Sequence, residues 1–135
     1  MSYLEWSDAM SVNVAEIDNQ HKRLIEMINI LHDAIITRKG REIHEDIIKE
    51  MVQYTQTHFQ TEERYMQKFG YPFLMNHRRE HENFTEKALE LQARVENSGF
   101  ILPLETLNFL RDWWKNHILG TDKKYSKNFN EHGLF

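Results

Sequence analysis

Four stretches of the sequence carry apolar residues three or four positions apart, which is the spacing of one face of a helix. Residues that typically break helices stand between and after them, at Gly40, Gly70, Pro72, Gly99, Pro103 and Gly120. The pattern predicts helices over about residues 18–39, 41–69, 72–97 and 103–119, an N-terminal arm over 1–17 and a C-terminal segment over 121–135. Because the connections are short, neighbouring helices should run antiparallel. We therefore predict one all-α domain over 1–135, an up-down-up-down four-helix bundle with an extended arm and a short C-terminal helical segment.

These helix faces are not purely apolar, because each predicted helix also has a histidine on its apolar face. In the second helix a glutamate follows a histidine by four residues, and in the third helix two histidines stand four apart. Residues four apart lie about 40° apart around a helix, so each of these pairs faces one way. The polar side chains expected at the bundle axis are His21, His58, Glu62, His77, His81 and His117.

Burying so many polar groups is costly unless each finds a strong partner. A metal ion accepts neutral imidazoles and ionised carboxylates, and its charge offsets the desolvation of the acids. Asp122 is a second carboxylate within reach, but on a continuous α-helix it would lie about 140° from His117. We expect a left-handed turn at Gly120 to bring it back. Five histidines and two carboxylates then fit two six-coordinate ions that share both carboxylates and a bridging oxygen, with one coordination position left open.

Composition excludes several other kinds of site. The chain has no cysteine, which removes disulfides, iron–sulfur clusters, thiolate zinc sites and cysteine nucleophiles. Its net charge is -4 without a basic tract, so nucleic acid is not an expected partner. No apolar run approaches the roughly 18 residues of a membrane span. Residues Met1 to Met10 lack the pattern of a secretory signal, and we expect a cytoplasmic protein.

The remaining histidines do not fit the ligand pattern. We predict that His44 and His132 are solvated, and that His32, about 16 Å along the helix from His21, lies near the end of the bundle. Residues 77–81 read His-Arg-Arg-Glu-His, as in inverzincin peptidases, but a peptidase site would leave the other ligands unexplained. The Glu-x-x-His motif of ferritin-like di-iron proteins does not occur in the sequence.

With these positions in place, the chain resembles the hemerythrins, in particular the single-domain bacteriohemerythrins. The residues that carry the resemblance are Trp6-Ser7, Val14, Ile17, Asp18, Gln20-His21, His58-Phe59, Glu62-Glu63, His77-x-x-x-His81, Trp113, His117-Ile118, Asp122 and Tyr125. The resemblance implies two iron ions with an oxo or hydroxo bridge, both also bridged by Glu62 and Asp122. One iron would be held by His77, His81 and His117. The other, held by His21 and His58, would have the open position, where dioxygen binds reversibly.

Apolar residues near these ligands suit a dioxygen pocket, because an apolar wall admits dioxygen and slows the entry of water and protons. The predicted pocket residues are Leu24, Ile25, Ile28, Phe59, Trp113 and Ile118. Plain core packing explains the same residues, and the two roles are compatible. Tyr125, three residues after Asp122, either donates a hydrogen bond to a ligand or has a surface or packing role.

The predicted function is therefore non-enzymatic, reversible dioxygen binding for storage, transport or delivery, and a protein recipient of the oxygen stays open. Two ferrous ions with two carboxylates and one hydroxide keep a positive charge, which should restrain oxidation to high-valent iron. The alternatives are a di-iron peroxidase, a scavenger of nitric oxide or peroxide, and an oxygen-, redox- or iron-sensing module. An enzyme needs a proton donor facing the open iron, and Tyr54 and Tyr65 are the nearest candidates.

Overall fold

The computed structural model describes residues 3–96 and 103–135, and four long helices dominate them. These are α1 (Ala15–Ile36), α2 (Gly40–Lys68), α3 (Leu74–Glu96) and α4 (Pro103–Trp113). A π-helical segment (Trp114–Thr121) continues α4, and a 3-10 turn (Asp122–Tyr125) and α5 (Ser126–Glu131) follow it. Helix α1 packs against α2 and α4, and α2 packs against α3, which is the predicted up-down-up-down bundle. None of the helices in the described ranges combines the length and the apolar character that crossing a bilayer requires.

Among the described residues, two of the four long helices end in left-handed turns, and only one of these two turns contains glycine. Gly70 has a φ of 62° after α2, and the next amide bonds to the Met66 carbonyl at 2.9 Å. Arg38 takes the same conformation after α1, with a φ of 61°, although this costs a non-glycine residue roughly 1–2 kcal/mol. Helix α1 therefore ends at Ile36 rather than near residue 39, and the predicted break at Gly99 lies outside the described residues.

The glycine between α1 and α2 is explained by packing. Gly40 is the first residue of α2, and a Cβ atom there would lie 3.1 Å from Cγ of Pro103, the first residue of α4. A larger residue would require the Pro103 ring to shift by a few tenths of an ångström. Gly40 thus permits a close approach of α2 and α4 at this end of the bundle.

Two apolar clusters form the core. The large cluster fills the end where α1 finishes and α2 begins; its buried members include Leu24, Ile25, Ile28, Tyr54, Phe59, Phe84, Leu110 and Ile118. The small cluster fills the opposite end, with Val12, Val14, Ile17, Met66, Tyr71, Tyr125 and Phe129. On α1, His21 lies between Ile17 of the small cluster and Leu24 of the large one. The predicted ligands therefore form a polar layer between the two clusters.

The N-terminal arm is tied to the bundle by side chains of α1. The Asn29 amide group accepts a hydrogen bond from the Leu4 amide and donates one to the Leu4 carbonyl, both at 2.8 Å. Asp18 accepts hydrogen bonds from the Val12 amide at 2.9 Å and from the Ser11 hydroxyl at 2.6 Å. Because Val12 is fully buried, the arm helps to close the small-cluster end of the bundle.

The prediction that His44 is solvated is wrong. Its side chain is buried between α2 and α4, where Nε2 lies 2.7 Å from the hydroxyl oxygen of Thr106. This partner is 62 residues away in the chain, so local spacing gives no sign of it. His132 is exposed, as predicted, and His32 is half-buried against the ring of Tyr3, with 4.1 Å between the ring centroids.

His44 should make stability depend on pH. Burial lowers the pKa of His44 below its ordinary value of about 6.5, so the folded protein favours the neutral ring. The stability that depends on this neutral ring is complete above about pH 6.5 and is lost as pH falls towards the folded-state pKa. We expect the difference in free energy of unfolding between the metal-free wild type and His44→Gln to shrink between about pH 7.5 and about pH 5.5 in urea titrations. An equal difference at both values would contradict this role.

Candidate metal centre

Five histidines and two carboxylates meet in the polar layer, and all seven are buried. They form two overlapping groups, and within each group the donor atoms lie within 4.8 Å of one another. We call them the three-histidine group, which contains His77, His81, His117, Glu62 and Asp122, and the two-histidine group, which contains His21, His58, Glu62 and Asp122. The structure thus brings together every residue predicted as a metal ligand, and both carboxylates belong to both groups.

Asp122 reaches both groups by a route that differs from the prediction. One of its oxygens lies 3.1 Å from Nε2 of His21, and the other lies 2.8 Å and 2.9 Å from Nε2 of His77 and His117. The predicted left-handed turn at Gly120 is wrong, because the helix continues in π form through this residue. The Asp122 amide bonds to the His117 carbonyl five residues back. Since π-helical bonds join residues five apart, this segment brings the two side chains to one face, as π-bulges at functional sites often do.

Glu62 lies between the histidines of α2 and α3. It follows His58 by one helical turn, so both side chains face the axis. Its Oε1 atom lies 3.1 Å from Nε2 of His58 and 3.1 Å from Nε2 of His81. The other oxygen accepts a hydrogen bond from the Tyr125 hydroxyl, which approaches from the small cluster. Tyr125 therefore makes the hydrogen bond to a predicted ligand that was one of its two expected roles, and this bond orients the Glu62 carboxylate.

Three of the histidines are held by a polar side chain of the preceding helix. The pairs, with the distance from Nδ1 to the nearest oxygen, are His58–Gln20 at 2.5 Å, His81–Glu63 at 2.8 Å and His117–Glu80 at 3.0 Å. An oxygen acceptor requires the proton on Nδ1, which leaves the Nε2 lone pair for a metal ion. Sequence reasoning gave these three acceptors no role, although each adjoins a predicted ligand in the chain.

Removing one of these acceptors should weaken metal binding without removing a ligand. Glu80 accepts hydrogen bonds from His117 and from the Thr121 hydroxyl, both at 3.0 Å. We expect Glu80→Ala to lower the affinity for ferrous ion by roughly 10- to 100-fold, measured by competition with a chelator. Glu82→Ala is the matched control, because Glu82 is an exposed acid on the same helix. An equal loss in both variants would point to net charge instead of histidine orientation.

The converging atoms do not satisfy one another. Within the described part of the chain, the buried atoms without a hydrogen bond include Nε2 of His21, His77, His81 and His117, Oε1 of Glu62, and both carboxylate oxygens of Asp122. Leaving a buried polar atom unpaired costs roughly 1–3 kcal/mol. Imidazole nitrogen and carboxylate oxygen are ligands that transition metals accept. The donor set therefore fits a pair of metal ions.

The charges in the layer also suit cations. Burial raises the pKa values of Glu62 and Asp122, but the surrounding imidazoles outweigh it and hold both values far below the ordinary range. Burial lowers the pKa of His58. Burial has the same effect on His117, but Asp122 and then Glu80 outweigh it and raise the pKa of His117 to about 10. Both carboxylates are therefore ionised near neutral pH, and metal binding would displace a proton from His117.

Comparison with known proteins agrees with this geometry. Residues 12–127, a range that includes all seven of these side chains, match the family described as the hemerythrin HHE cation binding domain. The chain belongs to the hemerythrin family. This confirms the resemblance seen in the sequence, and the described function of the family, cation binding, agrees with the donor set.

Relatives within the hemerythrin family match over most of their length. The bacteriohemerythrin of Stenotrophomonas maltophilia is 37% identical over 132 residues, which cover 98% of this chain and 85% of that protein. The bacteriohemerythrin of Methylococcus capsulatus is 34% identical over 126 residues, which cover 93% and 95%. A crystal structure of wild-type hemerythrin, 33% identical, matches with a TM-score of 0.84 over 93% of this chain and 97% of that chain.

The residues predicted to form an apolar pocket lie at the large-cluster side of this hemerythrin site. Buried in that cluster are Leu24, Ile25, Ile28, Phe59 and Ile118, and Trp113 packs against it. Phe59 stacks on the ring of His81, and Trp113 stacks on the ring of His117, each with 3.9 Å between centroids. Two imidazoles of the three-histidine group are thus fixed by a hydrogen bond on one nitrogen and by an aromatic ring on one face.

Proposed function

We propose that the seven residues bind two iron ions and that the protein binds dioxygen reversibly at the pair, for oxygen storage, transport or delivery. The unequal number of donors carries this proposal. Three imidazoles and two carboxylates form one group, whereas two imidazoles and the same carboxylates form the other. If both ions have the same coordination number, the ion beside His21 and His58 would therefore have one more free position than the other ion. Relatives named bacteriohemerythrin support the choice of this function.

The protein's own residues suit binding better than turnover. The iron pair, when bound, supplies the electrons that a reversible bond to dioxygen requires. The two carboxylates leave the pair a net positive charge, which restrains further oxidation. Buried apolar side chains of the large cluster, such as Leu24, adjoin the two-histidine group on one side, and an apolar wall of this kind slows the entry of water and protons.

The test is an oxygenation cycle on the whole chain. The iron-loaded protein is reduced without air, exposed to dioxygen, and flushed with argon while its visible absorption and iron content are recorded. We expect two irons per chain and an absorption band that appears with dioxygen and disappears under argon over repeated cycles; the metal-free protein should show neither. If the band disappears in the first cycle as the protein converts to its ferric form, and added peroxide is consumed, a di-iron peroxidase or peroxide scavenger would be favoured. Zinc without iron in the purified protein would contradict both functions.

A further inference from the structure

Two buried tyrosines flank the polar layer, and their hydroxyl groups differ in one respect. Tyr125, in the small cluster, donates its hydroxyl hydrogen bond to Glu62. Tyr54, in the large cluster, is 6% exposed, and its hydroxyl oxygen is buried without a hydrogen-bond partner among the described residues. A buried hydroxyl that stays unpaired is destabilising, so it calls for an explanation. A ligand that is bound only part of the time would supply the missing partner.

Tyr54 lies beside the two-histidine group. It precedes His58 by one turn of α2, and the two rings stack with centroids 4.6 Å apart and planes 22° apart. The ring of His58 in turn lies 4.8 Å from that of His21. Because α1 and α2 are antiparallel, a residue before His58 lies at the level of residues after His21, such as Leu24. The phenol is therefore on the apolar side of the group that has fewer protein donors.

We propose that the Tyr54 hydroxyl donates a hydrogen bond to the small ligand at the open side of the metal pair and so determines how tightly that ligand is held. This inference rests on the proposed function and names the residue that selects among ligands. A hydrogen-bond donor in an apolar pocket favours small molecules that carry negative charge on their outer atom. A phenol hydroxyl is a hydrogen-bond donor at neutral pH, so Tyr54 needs no other group to supply the proton.

Azide is a suitable probe, because it is a small linear anion and its binding to the ferric two-iron protein can be followed by visible absorption. Tyr54→Phe removes one oxygen and keeps the ring that stacks on His58. We expect its azide affinity to fall at least about tenfold, with unchanged iron content, since a hydrogen bond to a charged group contributes this much or more. The matched control is Tyr65→Phe on the same helix, where the hydroxyl donates to Glu16 at 2.8 Å. Its azide affinity should equal that of the wild type.

Thermal unfolding of the metal-free protein provides a second readout. Because the Tyr54 hydroxyl has no partner among the described residues, Tyr54→Phe should unfold at the same temperature as the wild type or at a higher one. A lower unfolding temperature would reveal a hydrogen bond within the protein and overturn the inference. Unchanged azide affinity, or loss of iron from Tyr54→Phe, would overturn it as well. If the wild type itself fails to bind iron and dioxygen, it is the proposed function that fails.

Discussion

The His58→Ala variant should bind no dioxygen and should keep about one iron per chain. His58 is one of four donors in the two-histidine group, whereas the three-histidine group does not include it. Its removal leaves the smaller group with His21 and two carboxylates that are also shared with the other ion. The proposed site of dioxygen binding would therefore lose its metal while the neighbouring site keeps all five donors. Iron analysis and the oxygenation cycle measure both effects.

The fold should survive this substitution, because both apolar clusters remain and α2 keeps its contacts with α1 and α3. Far-ultraviolet circular dichroism should show an unchanged helix content. His132→Ala is the control, since His132 is exposed and belongs to neither group of donors. It should keep two irons and normal oxygenation. Normal oxygenation of His58→Ala would show that the open position does not lie beside this residue.

The four helices can be predicted from the sequence, because the spacing of their apolar residues indicates which face of each helix is buried. Their ends are less predictable, because they depend on single backbone conformations. Gly70 has the residue type that a left-handed turn favours, whereas Arg38 takes the same φ without that signal. A boundary prediction that relies on glycine finds the first turn and misses the second.

The sequence also predicts which residues converge, but not all of the backbone that carries them. The spacing places Asp122 and His117 on different faces of a continuous α-helix. A turn at Gly120 is the simplest local change that would bring them together. In the structure a π-helical segment, and not a turn, brings Asp122 to the same face as His117. Asp122 must also reach His21 on α1 and His77 on α3, and the positions of these partners depend on how the helices pack. Local sequence cannot supply that information.

The acceptors of the histidine Nδ1 protons illustrate the same limit. Gln20, Glu63 and Glu80 each adjoin a predicted ligand in the chain, but each bonds to a histidine on the next helix. Their partners become apparent only when neighbouring helices are aligned. His44 and its contact with Thr106 depend on the same kind of alignment.

Glu62→Gln should cost the protein both metal ions, a larger loss than that of His58→Ala. Glu62 belongs to both groups, and its Oε1 atom lies 3.1 Å from Nε2 of a histidine in each. Glutamine keeps the shape but lacks the negative charge, and in place of one carboxylate oxygen it has an amide nitrogen, which donates hydrogen bonds and has no lone pair free for a metal ion. Two cations would then share Asp122 as their only carboxylate. We expect ferrous affinity at both positions to fall by about 100-fold or more, measured by chelator competition.

The number of irons that remain in Glu62→Gln distinguishes a shared carboxylate from one that serves a single ion. Two irons would show that Glu62 is not a ligand, and one iron would assign it to a single group. Glu45→Gln makes the same change of charge on the exposed face of α2, where the Glu45 side chain is 61% exposed and pairs with Lys49. It should keep both irons. Loss of both metals in Glu62→Gln alone, beside loss of one in His58→Ala, would therefore establish that two ions share this carboxylate and that His58 belongs to only one of them.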